Sequence, residues 1–209
     1  MKLILFGATR GTGRQFIEQA LAEGHTLTAV VRNPAAFELR HDNLKTVQGD
    51  VMDFASVEQA LQNYDAVLSA IGSPASKKDT VRSEGTRNII RAMEKIGVRR
   101  LISLSSLGVG ESRVMLPFLL KYLIVPLFLR HAFADHEVQE KYIRESRLDW
   151  TIIRPAALTD EPLTGIYRDG FPVSEKGLKL KISRADVADF MLKQLNDERY
   201  FRQTPGISY

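Results

Sequence analysis

Apolar positions in this chain follow two alternating rhythms. Short runs in which nearly every residue is apolar or β-branched occupy Leu3–Phe6, Leu27–Val31, Lys45–Gln48, Ala66–Ala70, Leu101–Leu104 and Trp150–Ile153. Runs of that length, closed by Gly, Asn, Ser or Pro, predict strands. Between them, apolar residues recur every three or four positions, the spacing of one helix face. Gly11–Glu23 places Phe16, Ile17, Ala20 and Leu21 together, and Thr80–Ile96 does the same with Ile89, Ile90 and Met93. Phe54–Leu61 and about Ala134–Ser146 also read as helices. Strands alternating with helices predict a parallel sheet covered on both faces. No internal repeat or low-complexity segment interrupts the series.

One stretch departs from the rhythm. Val114–Phe133 is rich in Leu, Phe, Ile and Val and contains Pro117 and Pro126. It follows the fifth strand, beyond whose carboxyl end ligands bind in open α/β sheets. With Lys121 and Arg130 inside it, it is too interrupted to span a bilayer. Three readings stay open: a wall of an apolar pocket, an association surface, or an added core layer.

The junction of the first strand and first helix carries the candidate chemistry. It reads Phe6-Gly7-Ala8-Thr9-Arg10-Gly11-Thr12-Gly13. Gly7 suits a tight turn, Gly11 lets backbone approach a phosphate, and Gly13 lets the helix pack on the strand. The helix then offers unpaired N–H groups and its positive dipole end to an anion. The expectation is a Rossmann-type, doubly wound, mainly parallel sheet that binds a dinucleotide. It forms a single NAD(P)-binding domain over residues 1–209, with substrate-side elements at about 108–135 and 155–182.

Composition narrows this picture. The chain has 209 residues, enough for one such domain, and 44% are hydrophobic. It contains no cysteine, which excludes disulfides, thiolate metal sites and a cysteine nucleophile, and no metal is expected. The net charge of +4 suits an anionic ligand but is too dispersed to suggest nucleic acid. A strand begins at once, leaving no room for a signal peptide, so a cytoplasmic protein is expected.

The nucleotide's identity is read at the end of the second strand. NAD-binding sheets place a carboxylate there for the ribose 2′-hydroxyl. Here the residues are Val31-Arg32-Asn33. Arg32, with Arg10 in the glycine turn, offers planar cationic donors suited to a 2′-phosphate, so NADPH is expected. Asp50 and Val51 end the third strand on the adenine side, where Asp50 is either an adenine contact or a turn residue. Thr9, Thr12, Ala70, Gly72, Ser105 and Pro155 complete the expected cofactor contacts.

These residues resemble the short-chain dehydrogenase/reductase superfamily, in the glycine spacing and in Ser105-Ser106 at the end of the fifth strand. Ser83–Ile90, Asp135-His136, Arg144-Glu145-Ser146 and Pro162–Tyr167 resemble more narrowly the atypical branch holding biliverdin-IXβ reductase/flavin reductase and the NmrA-like proteins. The likeness runs from Lys2 to about Asp197. It implies NADPH-dependent hydride transfer to a flavin or linear tetrapyrrole. It puts Ser106 near the nicotinamide and substrate, and Asp135-His136 at the start of the next helix. Ala157 stands where the best-known member has a histidine, and the apolar stretch is longer here.

Alcohol-oxidising members of the superfamily use Tyr-x-x-x-Lys. Lys141 matches the lysine, but Glu137 stands in the tyrosine position. Lys141 is a candidate for the nicotinamide ribose. A delocalised acceptor tolerates the missing tyrosine, because its π-system takes up the incoming electron density and solvent can supply the proton. His136 is a candidate proton relay, while Asp135-His136 as a helix cap is the competing reading. Two other readings stay open: a non-catalytic NADP(H) sensor, and a reductase of another conjugated substrate such as a quinone. The partner is expected to be a small molecule, with no nucleic acid and no membrane span, and the chain a monomer or a dimer.

Overall fold

The computed structural model describes residues 1–74 and 77–209. The strands β1 (Lys2–Phe6), β2 (Thr26–Val31), β3 (Leu44–Gln48), β4 (Ala66–Ser69), β5 (Arg100–Leu104) and β6 (Asp149–Pro155) pair in parallel. The helices are α1 (Gly11–Ala22), α2 (Phe54–Ala60), α3 (Val81–Ile96), α4 (Arg130–Glu145) and α5 (Arg184–Lys193). The strand order is β3-β2-β1-β4-β5-β6-β10-β8. In it β10 (Gly206–Ser208) runs parallel to β6, and β8 (Arg168–Asp169) closes the edge antiparallel. A separate pair joins β7 (Ala157–Thr159) to β9 (Lys181–Ser183).

Two apolar layers follow from the alternation of side chains along a strand. Leu3 and Leu5 of β1 point into one layer with Phe16, Ile17 and Ala20 of α1 and Val187 and Met191 of α5. Ile4 and Phe6 point into the other, with Ile89 and Met93 of α3 and Ile143 of α4. Every one of these side chains is fully buried. A run of four apolar residues is therefore what a strand covered on both faces requires.

The expected elements are present with modest shifts at their ends. Helix α4 starts at Arg130 rather than Ala134, because the apolar stretch before it is already helical. Leu120–Leu129 is wound as a π-helix around Pro126 and runs straight into α4. Proline has no N–H to donate to the previous turn, and the wider helix accommodates that loss. Strand β6 extends to Pro155, and the elements after it form the far edge of the sheet.

Candidate functional site

The strand order reverses between β1 and β4, and the glycine turn leaves the sheet at that switch point. Gly7 has φ +88°, open to glycine without strain. A Cβ on Gly7 would lie 2.3 Å from the Ala70 carbonyl oxygen, so the turn lies hard against the end of β4. A Cβ on Gly13 would lie 2.1 Å from the Gly7 oxygen. Only hydrogen at both positions lets α1 seat this closely. Arg10, at the N-cap of α1, has extended backbone and makes no side-chain cap, and the first turn holds no acidic residue. The leading N–H groups of α1, from Gly11 and Thr12 onward, thus have no carboxylate competing for them. The cradle fits a dinucleotide pyrophosphate.

A residue the sequence reading missed approaches this turn. A Cβ on Gly11 would lie 3.4 Å from Arg184 Nε. Arg184 begins α5, and its Nη1 donates to Asp160 Oδ1 at 2.7 Å, a carboxylate that is itself 89% exposed. The Ser183-Arg184-Ala185-Asp186 spacing is a capping signature that would have found this helix start. Ser183 Oγ accepts from the Asp186 N–H at 2.9 Å.

The other residues expected to contact the cofactor lie at the carboxyl ends of the strands. Thr9, Arg10 and Arg32 are exposed, with Arg32 just past β2. Asp50 folds on itself: its Oδ1 accepts from Met52 N–H at 2.9 Å, and its own N–H donates to Ser56 Oγ at 3.0 Å. That is a turn, with the second carboxylate oxygen left over. Val51 is clamped from α3, where Asn88 Nδ2 donates to its carbonyl at 2.9 Å. A Cβ on Gly85 would lie 2.9 Å from Val51 Cγ2, so that glycine sets the approach of the helix. Ala70 N–H donates to the Phe6 carbonyl, and Gly72 lies in the open loop beyond. Pro155 accepts from the Leu107 N–H at 2.9 Å, which ties the end of β6 to the loop after β5.

The two serines that follow β5 part company. Ser105 is buried and its Oγ donates to Glu140 Oε1 at 2.6 Å. Ser106 is partly exposed, and its Oγ donates to the Leu107 carbonyl at 3.2 Å. Glu140 also accepts from Arg154 Nε at 2.9 Å and Nη2 at 2.7 Å, and from Arg144 Nη2 at 2.9 Å. Arg154 reaches on to Glu111 at 2.5 Å. Burial pushes against the charge on both Arg154 and Glu111, but the hydrogen bonds of Arg154 to Glu140 and then to Glu111 prevail. They raise the guanidinium pKa and hold the Glu111 carboxyl below its usual range. The network sews the ends of β5 and β6 to α4.

The Asp135-His136 pair is a cap, but of a different helix. Asp135 lies in the second turn of α4, not before it. It accepts from the backbone N–H of Arg82 and Ser83 at 3.0 Å each, in the first turn of α3. Tertiary packing brings the carboxylate to a neighbour's N-terminus. His136 Nδ1 contacts Gln139 Oε1 at 2.8 Å. Burial, then the nearby Arg82 charge, pushes its pKa down to about 4. Its imidazole therefore stays neutral through the range near neutrality in which an unperturbed ring takes up its proton. Lys141 stands five residues on, roughly 140° around the helix. Its ammonium is exposed and 3.9 Å from Glu145 Oε1. Lys141 lines an open recess of about 390 Å³ with Glu137, Glu140, Arg144, Val109 and Gly110. His136 and Lys141 are therefore not gathered into one cluster.

The Pro162–Tyr167 loop hangs from Asp186. Thr164 and Gly165 N–H groups donate to its Oδ1 at 3.0 and 2.7 Å, and Tyr209 donates to Oδ2 at 2.5 Å. Burial would raise this carboxyl, but the Tyr209 hydroxyl and the Gly165 and Thr164 amides outweigh it and hold it low.

A glycine cradle at the switch point of a doubly wound parallel sheet defines a Rossmann-type dinucleotide-binding protein. Residues 7–198 match the family described as NAD(P)H-binding, and the chain belongs to that family. It is 30% identical over 216 residues to the photosystem II assembly factor Ycf39 of Synechocystis sp., covering 98% of this chain but 61% of that one. The chain thus spans only part of that relative's length. Among solved structures it resembles ChuY, an anaerobilin reductase from Escherichia coli O157:H7. The TM-score is 0.81 at 26% identity, covering 99% of this chain and 96% of the other. A short-chain dehydrogenase/reductase from Veillonella parvula in complex with NADP shares the fold, with a TM-score of 0.83 at 19% identity, covering 100% and 94%.

Proposed function

We propose that this protein is an NADPH-dependent reductase whose acceptor is a linear tetrapyrrole or a flavin. The observation that carries the cofactor half is the glycine cradle with Arg10 and Arg32 exposed beside it and no carboxylate after β2. The likeness to an anaerobilin reductase along nearly the whole of both chains supports a tetrapyrrole-like acceptor.

NADPH, when bound, supplies the hydride. The chain's own residues hold and orient it. Gly7, Thr9, Gly11, Thr12 and Gly13 present backbone to the pyrophosphate. Arg184 reaches over from α5 to the same phosphates, because its exposed partner Asp160 holds it only weakly. Arg10 and Arg32 take the 2′-phosphate. Asp50 and Val51 wall the adenine. Ala70, Gly72, Ser105 and Pro155 line the strand ends towards the nicotinamide.

Ser106 is the residue at the reacting end. Its hydroxyl makes one long bond to a neighbouring carbonyl, so it is free to turn towards an acceptor or the carboxamide. His136 is neutral and enclosed, so it can orient Gln139 but holds no spare proton at neutral pH. Lys141 reaches the ribose only by leaving Glu145. The proton for the reduced acceptor accordingly comes from water.

A test is NADPH oxidation by the purified protein with biliverdin, FMN, FAD and a quinone, with NADH in parallel. Turnover with biliverdin or a flavin, lowered by Ser106→Ala more than NADPH affinity is, supports the reading. A second reading follows from the likeness to an assembly factor: a protein that binds NADP(H) and reports to a partner. NADPH binding without turnover of any acceptor would select it.

A further inference from the structure

We propose that the stretch Val114–Phe133, continuously helical from Phe118 onward, docks the protein on the surface of an anionic lipid bilayer. Phe118, Leu119, Tyr122, Leu123, Leu127 and Phe128 are between 46% and 79% exposed. The π-helical winding of Leu120–Leu129, with its i→i+5 turn, brings residues spaced four and five apart onto one side. The opposite side anchors the segment, through buried Val125 and Ala132. At its start, Leu116 fills the space over Gly108, where a Cβ would lie 2.6 Å from Leu116 Cδ1. Large apolar side chains grouped this way on a folded protein mark an interaction surface.

Charge identifies the occupant. Between Glu111 and Asp135 the chain carries Arg113, Lys121, Arg130 and His131 and not one carboxylate. Among the described residues, none of Arg113, Lys121 and Arg130 forms an ion pair; Arg130 Nε donates to His131 Nε2 at 3.2 Å and Lys121 lies 5.3 Å from the Tyr122 ring centre. Free cations flanking an apolar, aromatic-rich face match a bilayer, which offers hydrocarbon depth beneath a negative surface. A second copy of this chain fits poorly. A two-fold interface would set the same face against itself, so Lys121 and Arg130 would meet a surface that carries cations and no carboxylate. No helix among the described residues is long and apolar enough to cross a membrane, so the segment lies in the interface plane.

The test is co-sedimentation of the whole protein with vesicles of phosphatidylcholine alone and of phosphatidylcholine mixed with phosphatidylglycerol. The expected result is binding to the mixed vesicles, weakened by salt and at least about tenfold stronger than to neutral ones. Lys121→Gln and Arg130→Gln should each weaken it about fivefold, the scale of one cation near an anionic surface. Phe118→Ser with Leu127→Ser and Phe128→Ser should abolish it. Circular dichroism and the thermal midpoint should stay unchanged, since these side chains face solvent. Absence of binding to the mixed vesicles overturns the proposal, as does equal binding to both kinds. Self-association removed by the serine substitutions, without lipid binding, also overturns it and assigns the face to a second copy.

Discussion

Arg154 and Glu140 form a buried, two-pronged ion pair, with Nε–Oε1 at 2.9 Å and Nη2–Oε2 at 2.7 Å. Arg154 is 1% and Glu140 3% exposed. The pair joins the end of β6 to α4 just behind Ser105. Its desolvation is offset because every donor direction towards Glu140 is used, by Ser105 and Arg144 as well as Arg154. Glu140→Gln should therefore cost about 1–3 kcal/mol, the scale of a weakened buried polar network, because Arg154 keeps Glu111 as a partner. Replacing both partners, Arg154→Met with Glu140→Leu, should recover most of that. Urea unfolding measures both. A loss below about 1 kcal/mol in the single variant would show that the pair does not bear the load assigned to it.

Gly13→Ala should cut NADPH affinity at least tenfold while the protein stays folded. The added Cβ would lie 2.1 Å from the Gly7 oxygen, so α1 must move off the turn. Calorimetric titration beside circular dichroism reads the two effects separately. A folded variant with native affinity would contradict the cradle.

Arg32 and Arg184 should separate the two phosphate sites. Arg32→Asp removes a donor to the 2′-phosphate and supplies an acceptor for a 2′-hydroxyl, so NADPH should weaken roughly tenfold or more while NADH improves or holds. Arg184→Ala should weaken both cofactors alike, because the pyrophosphate is common to them. Equal NADPH and NADH affinity in the unaltered protein would remove the basis for the Arg32 assignment.

Stability should fall as pH drops from about 6.5 to 4. Folded His136 titrates near 4 and an unfolded histidine near 6.5. In that window the unfolded chain binds the extra proton, so acid favours unfolding, by up to about 3 kcal/mol. The groups facing the ring are Arg82, Gln139, Asp135 and Glu140. Asp186 and Glu111, whose folded values are depressed, add losses only at lower pH, as their unfolded carboxylates begin to protonate. Thermal midpoints across pH for the native protein and His136→Gln test this, and identical slopes would refute the histidine's part in it.

The architecture as far as β6, and the glycine turn after β1, can be read from the chain alone. Both depend on local rules. Strand runs, helix spacing and a glycine where φ is positive are legible within a dozen residues, and Gly7, Gly11 and Gly13 lie where their spacing put them. Relationships across long separations arise only in the folded chain. Asp135 looked like a cap for its own helix and caps α3 instead, because α3 and α4 lie side by side on one face of the sheet. The link of Arg154 to Glu140 and the seat of Arg184 over Gly11 depend on which strand ends and helix starts become neighbours. So does the neutral state of His136, since a pKa is set by what surrounds a ring and not by its place in a motif. The apolar stretch at 114–133 shows the same divide. Its composition is plain in the sequence, but whether its large side chains are buried or face outward is settled only when the rest of the core has been filled by others.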